Sequence, residues 1–235
     1  ESNWLVSAIA NSIGVTLRDP VTWVVAPKRE AFKELDDDFE EISDLLEALA
    51  NLYGVSGHEW SVRRRVLEAL PQWAKDQAVV DDIGNIVVEI GPERDTTVFM
   101  AHMDEVGYEI SAIEPGGLVS LTRKGGAVSS AWEGQTALIH FDPIGAPSTR
   151  TGSGQDFSSH WKTESFSASA PPPLRGVFLT RDDPQQRDPS TVNAWFGLNK
   201  QGLEELGVVE GLAVTSYKQA LRIGPTRFVA RSLDD

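Results

Sequence analysis

A histidine and two carboxylates follow a short apolar run near the middle of the chain. Val98–Ala101 predicts a buried strand, and His102, Asp104 and Glu105 come directly after it. A spacing of two places the His102 and Asp104 side chains on the same side of an extended segment. A metal-binding imidazole needs a carboxylate or carbonyl on its second ring nitrogen. Taken alone, the pattern favours a strand end with surface charges, and a metal-binding histidine at a sheet edge is the alternative, which depends on the other segments of the chain.

Five segments together carry a resemblance to a known family. They are Gly54–Glu59 with Val62 and Arg63, Asp82–Asn85, Ala101–Gly107, Gly125–Gly126 with Gly134–Gln135, and Ala230–Asp235. Their order resembles the M42 family of metallo-aminopeptidases, which includes glutamyl, deblocking and tetrahedral aminopeptidases. The resemblance covers roughly residues 42 to 235 and is poor between about 143 and 173.

The resemblance implies an α/β fold. We expect a mixed-sheet, zinc-exopeptidase-like catalytic domain, incomplete in this chain, with an inserted small β-barrel or sandwich domain that serves dimerisation. The expected division is an N-terminal extension at 1–35, a partial catalytic domain at 36–113 plus 229–235, and a β-rich insertion at 114–228 with a flexible loop at 143–173.

The resemblance also assigns roles at the site. Two divalent metal ions are implied, zinc first and cobalt as the alternative. His102 would bind one metal, Asp234 would bridge both, and Asp104 would be the catalytic residue that orients His102. The family's general base and remaining ligands lie further downstream. Glu204–Glu205 precedes Asp234 and does not match that acidic pair.

The residues before the motif predict two helices. Asp36–Asp38 complements the dipole of a helix whose apolar stripe runs to Tyr53, and Gly54 ends it. Ser56 and Glu59 predict a capping box for a second helix that ends at Pro71. Its arginines, Arg63–Arg65, are expected mostly on the solvent side. His58 is interpreted as a surface or capping residue rather than a ligand.

Short strands are predicted over most of the remaining chain. Val79–Val80 and Ile86–Ile90 predict a hairpin. Further strands are predicted at Tyr108–Ile113, Leu118–Arg123, Thr136–Phe141, Gly176–Leu179, Leu212–Ser216 and Arg227–Ala230. Their spacing is typical of a small barrel or sandwich. Asn199–Gly207 predicts one short helix among them.

The composition excludes several functions. The chain has 235 residues, no cysteine and a formal net charge of −14. Without thiolates, a zinc site must use histidine and carboxylate ligands. The negative charge argues against nucleic acid or an anionic membrane as partner. No apolar run approaches the length of a membrane span. We expect a cytoplasmic protein, although the absence of cysteine does not identify a compartment.

Two functions from different classes remain open. In the first, the chain is the N-terminal part of an aminopeptidase whose remainder is absent from this sequence. Its substrate would be a peptide with a free N-terminus, and it would assemble as a homo-oligomer through the β-rich insertion. In the second, the chain is a non-catalytic scaffold or assembly protein that keeps the fold without a complete metal site.

Overall fold

The computed structural model describes residues 37–91, 97–126, 128–142, 171–181, 191–223 and 227–233. The predicted extension at 1–35, most of the predicted loop at 143–173 and Asp234 lie outside the described residues.

The two predicted helices form close to where the sequence places them, as α1 (Asp37–Ala50) and α2 (Trp60–Ala69). A short helix that the sequence did not predict, α3 (Gln72–Lys75), follows them. The predicted capping box is wrong. Glu59 precedes α2 without a side-chain cap, because its carboxylate accepts from the Gly57 amide at 2.6 Å instead. The Ser56 hydroxyl donates to the Asp104 carboxylate instead of to the helix.

Arg63 is also placed differently from its prediction. Its side chain is buried, because its Nε donates to the Gly84 carbonyl at 2.6 Å. Gly84 has a φ of +92°, and a Cβ there would lie 2.1 Å from an Arg63 guanidinium nitrogen. Glycine at this turn therefore lets α2 contact the predicted hairpin, which is confirmed as β1 (Val79–Val80) paired antiparallel with β2 (Ile86–Val87).

The predicted buried strand at Val98–Ala101 is wrong in the part of the chain that the structure describes. Residues 97–104 have no regular secondary structure, and Phe99 and Met100 are 92% and 90% exposed. The apolar run alone does not make a strand, since a strand needs a neighbour to bond its backbone. Among the described residues, such a bridge forms only beyond the predicted strand, where Glu105 pairs in parallel with Val55.

A closed six-stranded barrel confirms the predicted small β domain. Its strands are β3 (Gly107–Ile113), β4 (Leu118–Lys124), β5 (Thr136–His140), β6 (Leu174–Phe178), β7 (Thr191–Trp195) and β8 (Ala213–Ser216). They follow the order β3-β4-β7-β6-β5-β8, and neighbouring strands are antiparallel. The barrel begins at Gly107, so the strand that we placed before the boundary at 114 belongs to it.

The barrel interior is filled by aromatic and aliphatic side chains. Tyr108, Trp132 and Phe178 form a triangle with ring centroids 5.1 to 5.6 Å apart. Ile110 and Leu121 face each other on β3 and β4 and are fully buried. The same buried cluster includes Leu203 and Val208, which follow β7 in the chain, so described residues outside the strands also contribute to the core of the barrel.

Smaller elements complete the described structure. Helix α4 (Lys200–Glu205) is confirmed, and its predicted cap Asn199 accepts from the Gly202 amide at 2.9 Å. Strands β9 (Leu221–Ile223) and β10 (Arg227–Val229) form a hairpin outside the barrel. Arg222 on β9 forms ion pairs with Asp44 and Glu47 of α1. Of the helices described, none is long and apolar enough to cross a membrane.

Candidate functional site

The segment 102–105 lies where the helical layer meets the barrel. Only Val106 separates Glu105 from the first residue of β3, so the segment 102–105 leads directly into the first barrel strand. On its other side lies the loop after α1. The Glu105 amide donates to the Gly54 carbonyl at 2.7 Å, and the Gly54 amide donates to Glu105 Oε1 at 3.2 Å. These bonds fix the loop at 54–58 beside the motif.

His102 and Asp104 are in contact, as their spacing predicts. Nδ1 of His102 lies 3.1 Å from Asp104 Oδ1 and 2.9 Å from the Asp104 carbonyl oxygen. Because both neighbours of Nδ1 are acceptors, this nitrogen carries the proton in a neutral ring. Nε2 is then the nitrogen with metal-binding character. Both side chains are roughly half exposed, so a ligand can reach them.

Ser56 extends this contact by one residue. Its hydroxyl donates to Asp104 Oδ2, the oxygen that does not contact His102. The three side chains therefore form the row Ser56–Asp104–His102. A serine nucleophile would instead donate to the imidazole. The described geometry does not place Ser56 in that arrangement.

Glu105 is the centre of a buried charged cluster. Its Oε2 accepts from Lys218 Nζ at 2.9 Å, Arg231 Nη2 at 2.9 Å and Ser232 Oγ at 3.0 Å. The Glu105 and Lys218 side chains are only 8% and 5% exposed. Burial by itself would raise the pKa of Glu105, but the charges of Lys218 and Arg231 outweigh it and hold that pKa below its ordinary value.

A second layer supports this cluster from the α1 side. The Tyr53 hydroxyl accepts from the Lys218 amide at 3.2 Å, and its ring lies 4.4 Å from that of His140. Burial lowers the pKa of His140 to about 4. The His140 ring is therefore neutral near pH 7, with Nε2 lying 2.7 Å from the Thr215 hydroxyl.

An open pocket of about 200 Å³ lies over these groups. It is lined by Ser56, His102, Asp104, Glu105, Val106, Gly125, Arg231 and Ser232. The sequence identified His102 and Asp104, but not Ser56, Arg231 or Ser232 as pocket residues. The resemblance contained a signal for them, because all three stand in its matching segments.

The predicted metal site would be supplied only in part by the described residues. No group of three or more histidine, cysteine or acidic side chains suited to a metal ion occurs within them. His102 fits as one ligand, since Asp104 fixes its protonated nitrogen. Asp234, the second predicted ligand, lies outside the described part of the chain, two residues after the pocket residue Ser232.

Comparison with known sequences gives consistent matches. The family model "M42 glutamyl aminopeptidase" matches residues 84–143. A curated Escherichia coli protein named "Putative aminopeptidase SgcX" is 24% identical over 200 residues, covering 83% of this chain and 48% of that protein. A "Putative aminopeptidase" of Acetivibrio thermocellus is 28% identical over 107 residues, covering 46% of this chain and 32% of that protein.

Solved structures share the fold. The aminopeptidase APDkam598 of Desulfurococcus kamchatkensis superimposes with a TM-score of 0.55 at 23% identity, over 79% of this chain and 45% of that one. The TET1 peptidase of Pyrococcus horikoshii gives 0.56 at 20% identity, over 77% and 48%.

The fold of the described residues is therefore similar to that of about half of each of these solved aminopeptidases. The sequence matches confirm the resemblance of this chain to the M42 aminopeptidases. It spans about half the length, or less, of the relatives that it matches.

Proposed function

We propose that this chain is part of a metal-dependent aminopeptidase that releases N-terminal residues from peptides. The observation that carries the proposal is the His102–Asp104 contact at an open pocket. A histidine with its Nδ1 proton held by a carboxylate is the usual form of a metal-binding histidine. The sequence matches to aminopeptidases support the same activity.

His102 would bind one of two divalent ions through Nε2, and Asp234 would bridge them. Zinc is the first choice for these ligands, with cobalt as the alternative. When bound, such a pair polarises the scissile carbonyl and activates a water molecule. Asp104 would keep the His102 ring in one tautomer and orientation. The remaining ligands and the general base would come from residues beyond those described.

The substrate would be a peptide with a free amino group. The formal net charge of −14 favours the approach of a positively charged terminus. The barrel would serve as the surface for assembly into a homo-oligomer. A solved Pyrococcus horikoshii relative is described as assembling into a tetrahedron or a large octahedral shell, which supports this part of the proposal.

One observation favours a second candidate, a scaffold without catalysis. The described residues contain no group of three metal-binding side chains. In that case the fold would be kept for binding or assembly alone.

The experiment that separates the two candidates measures metal content and peptide cleavage of the purified full-length protein that contains this chain. After dialysis against zinc, we expect about two ions per chain and cleavage of a free peptide, but not of its N-acetylated form. His102→Ala should lose at least one ion and the cleavage. His58→Gln should keep both, because His58 does not line the pocket, although it is buried beside Asp142 and not at the surface as predicted. A parent protein with neither metal nor cleavage would favour the scaffold.

A further inference from the structure

The hydroxyl of Ser56 bonds to the segment 102–105 and does not cap helix α2. It donates to Asp104 Oδ2, while Asp104 Oδ1 contacts Nδ1 of His102. We propose that Ser56 is a positioning residue, which fixes the Asp104 carboxylate so that this carboxylate fixes the His102 ring. As far as it concerns metal binding, the proposal rests on the proposed function.

A single contact would not fix the Asp104 carboxylate. The side chain is 39% exposed, so water competes for its oxygens. A carboxylate bound at one oxygen can still rotate about its last bond, because that torsion is broad. Bound at both oxygens, to His102 and to Ser56, the group has one orientation.

The backbone around Ser56 holds the hydroxyl in place. Val55 forms a parallel bridge with Glu105, and the His58 amide donates to the Val55 carbonyl at 2.6 Å. The turn is thus closed on itself and attached to the motif. The backbone at Ser56 is therefore held in a hydrogen-bonded turn.

Removal of the hydroxyl should loosen the row without abolishing it. His102 Nδ1 also contacts the Asp104 carbonyl oxygen at 2.9 Å, and that contact survives in Ser56→Ala. The tautomer should therefore be kept while the ring and carboxylate gain mobility. Losses of groups that orient metal ligands typically cost about 10- to 100-fold in affinity, and we expect the lower end here.

The first test uses the metal-free protein and does not depend on the proposed function. NMR relaxation of the His102 ring and the carboxyl carbon shift of Asp104 are compared among the parent, Ser56→Ala and Ser56→Thr. We expect greater ring mobility and a shifted carboxyl signal in Ser56→Ala, with Ser56→Thr restoring both. Signals in Ser56→Ala equal to those of the parent would overturn the proposal.

The second test measures zinc affinity by competition with a chelator. Ser56→Ala should bind zinc roughly tenfold more weakly than the parent, and Ser56→Thr within about threefold of it. Ser111→Ala is the matched control, since the exposed Ser111 hydroxyl donates to the Ser120 carbonyl on the barrel, and neither residue lines the pocket. Its affinity should be unchanged. A full-length parent protein that binds no zinc would refute the proposed function, while the metal-free NMR would still decide the role of Ser56.

Discussion

The barrel and the segment that carries His102 satisfy their backbones in different ways. Each of the six barrel strands pairs with a neighbour on both sides, and the interior is apolar. The segment 97–106 has one bridging pair, Val55 with Glu105, among the described residues. Its apolar residues Phe99 and Met100 face outward, and its anchor is the charged cluster around Glu105.

This difference implies that the barrel provides most of the stability, while the charged segment carries the candidate site. Apolar packing in a closed barrel tolerates changes in pH and salt, because it involves few charges. A buried carboxylate held by two cations keeps its geometry only while each partner is charged and in place. We therefore expect the pocket to open at a lower free energy than the barrel, as is common for binding sites.

The largest effect should come from Glu105→Gln. The substitution keeps the shape but removes the charge between Lys218 and Arg231. Breaking a buried ion pair from one side typically costs about 3–5 kcal/mol. Urea unfolding measures the loss in the free energy of unfolding. Hydrogen exchange should show lost protection of the amides near residues 54–56 and 231–233, while the barrel amides keep their protection.

A double variant gives the control for that prediction. Glu105→Gln with Lys218→Met removes one of the cations left without its partner, so part of the stability should return. If the barrel amides lost protection together with the pocket, the two regions would form one cooperative unit and the comparison would be wrong.

The next effect should come from Leu121→Ala inside the barrel. Leu121 is fully buried between β3 and β7. The cavity should lower the free energy of unfolding by roughly 3 kcal/mol. Leu206→Ala, at an exposed leucine, is the control and should change it little. Zinc affinity of the folded Leu121→Ala protein should equal that of the parent; a weaker affinity would show that the barrel core shapes the pocket.

The smallest effect near neutral pH should come from His140, because its contribution changes only as the pH falls below 6.5. Its pKa falls from 6.5 to about 4 in the fold, so the unfolded chain binds a proton between these values and the folded chain does not. Stability is therefore complete above pH 6.5 and declines as the pH falls towards 4, by up to roughly 3 kcal/mol. Thermal unfolding of the parent and His140→Gln at several pH values measures it. An equal decline in His140→Gln would assign the effect to other groups.

Elements with a strong local pattern could be predicted from the sequence. The stripe of α1, the hairpin β1–β2, and the cap at Asn199 depend on neighbouring residues and were predicted correctly. Strand β7 was missed because its inward side chains, Val192 and Ala194, are small and give a weak apolar signal. The strand at Val98 was predicted wrongly because a strand depends on its pairing partner.

In the candidate site, too, contacts between residues close in the sequence could be predicted and contacts between distant residues could not. The His102–Asp104 contact follows from a spacing of two, whereas Ser56 lies 48 residues before Asp104 in the chain. The bonds from Glu105 to Lys218 and Arg231 span 113 and 126 residues. No periodicity identifies such partners. The roles of His102, Asp104 and Asp234 stay predictions until metal binding is measured.

The position of Glu105 next to the barrel has a consequence for chain entropy. Its bond to Lys218 closes a loop of 113 residues. Strands β3 and β8 pair through Tyr108 and Val214, so barrel closure leaves only about seven residues between the two ends. Because loop entropy depends on the logarithm of length, the barrel reduces the cost of this contact by about 2 kcal/mol. The charged cluster should therefore form after the barrel during folding, with the pocket as the last part to be assembled.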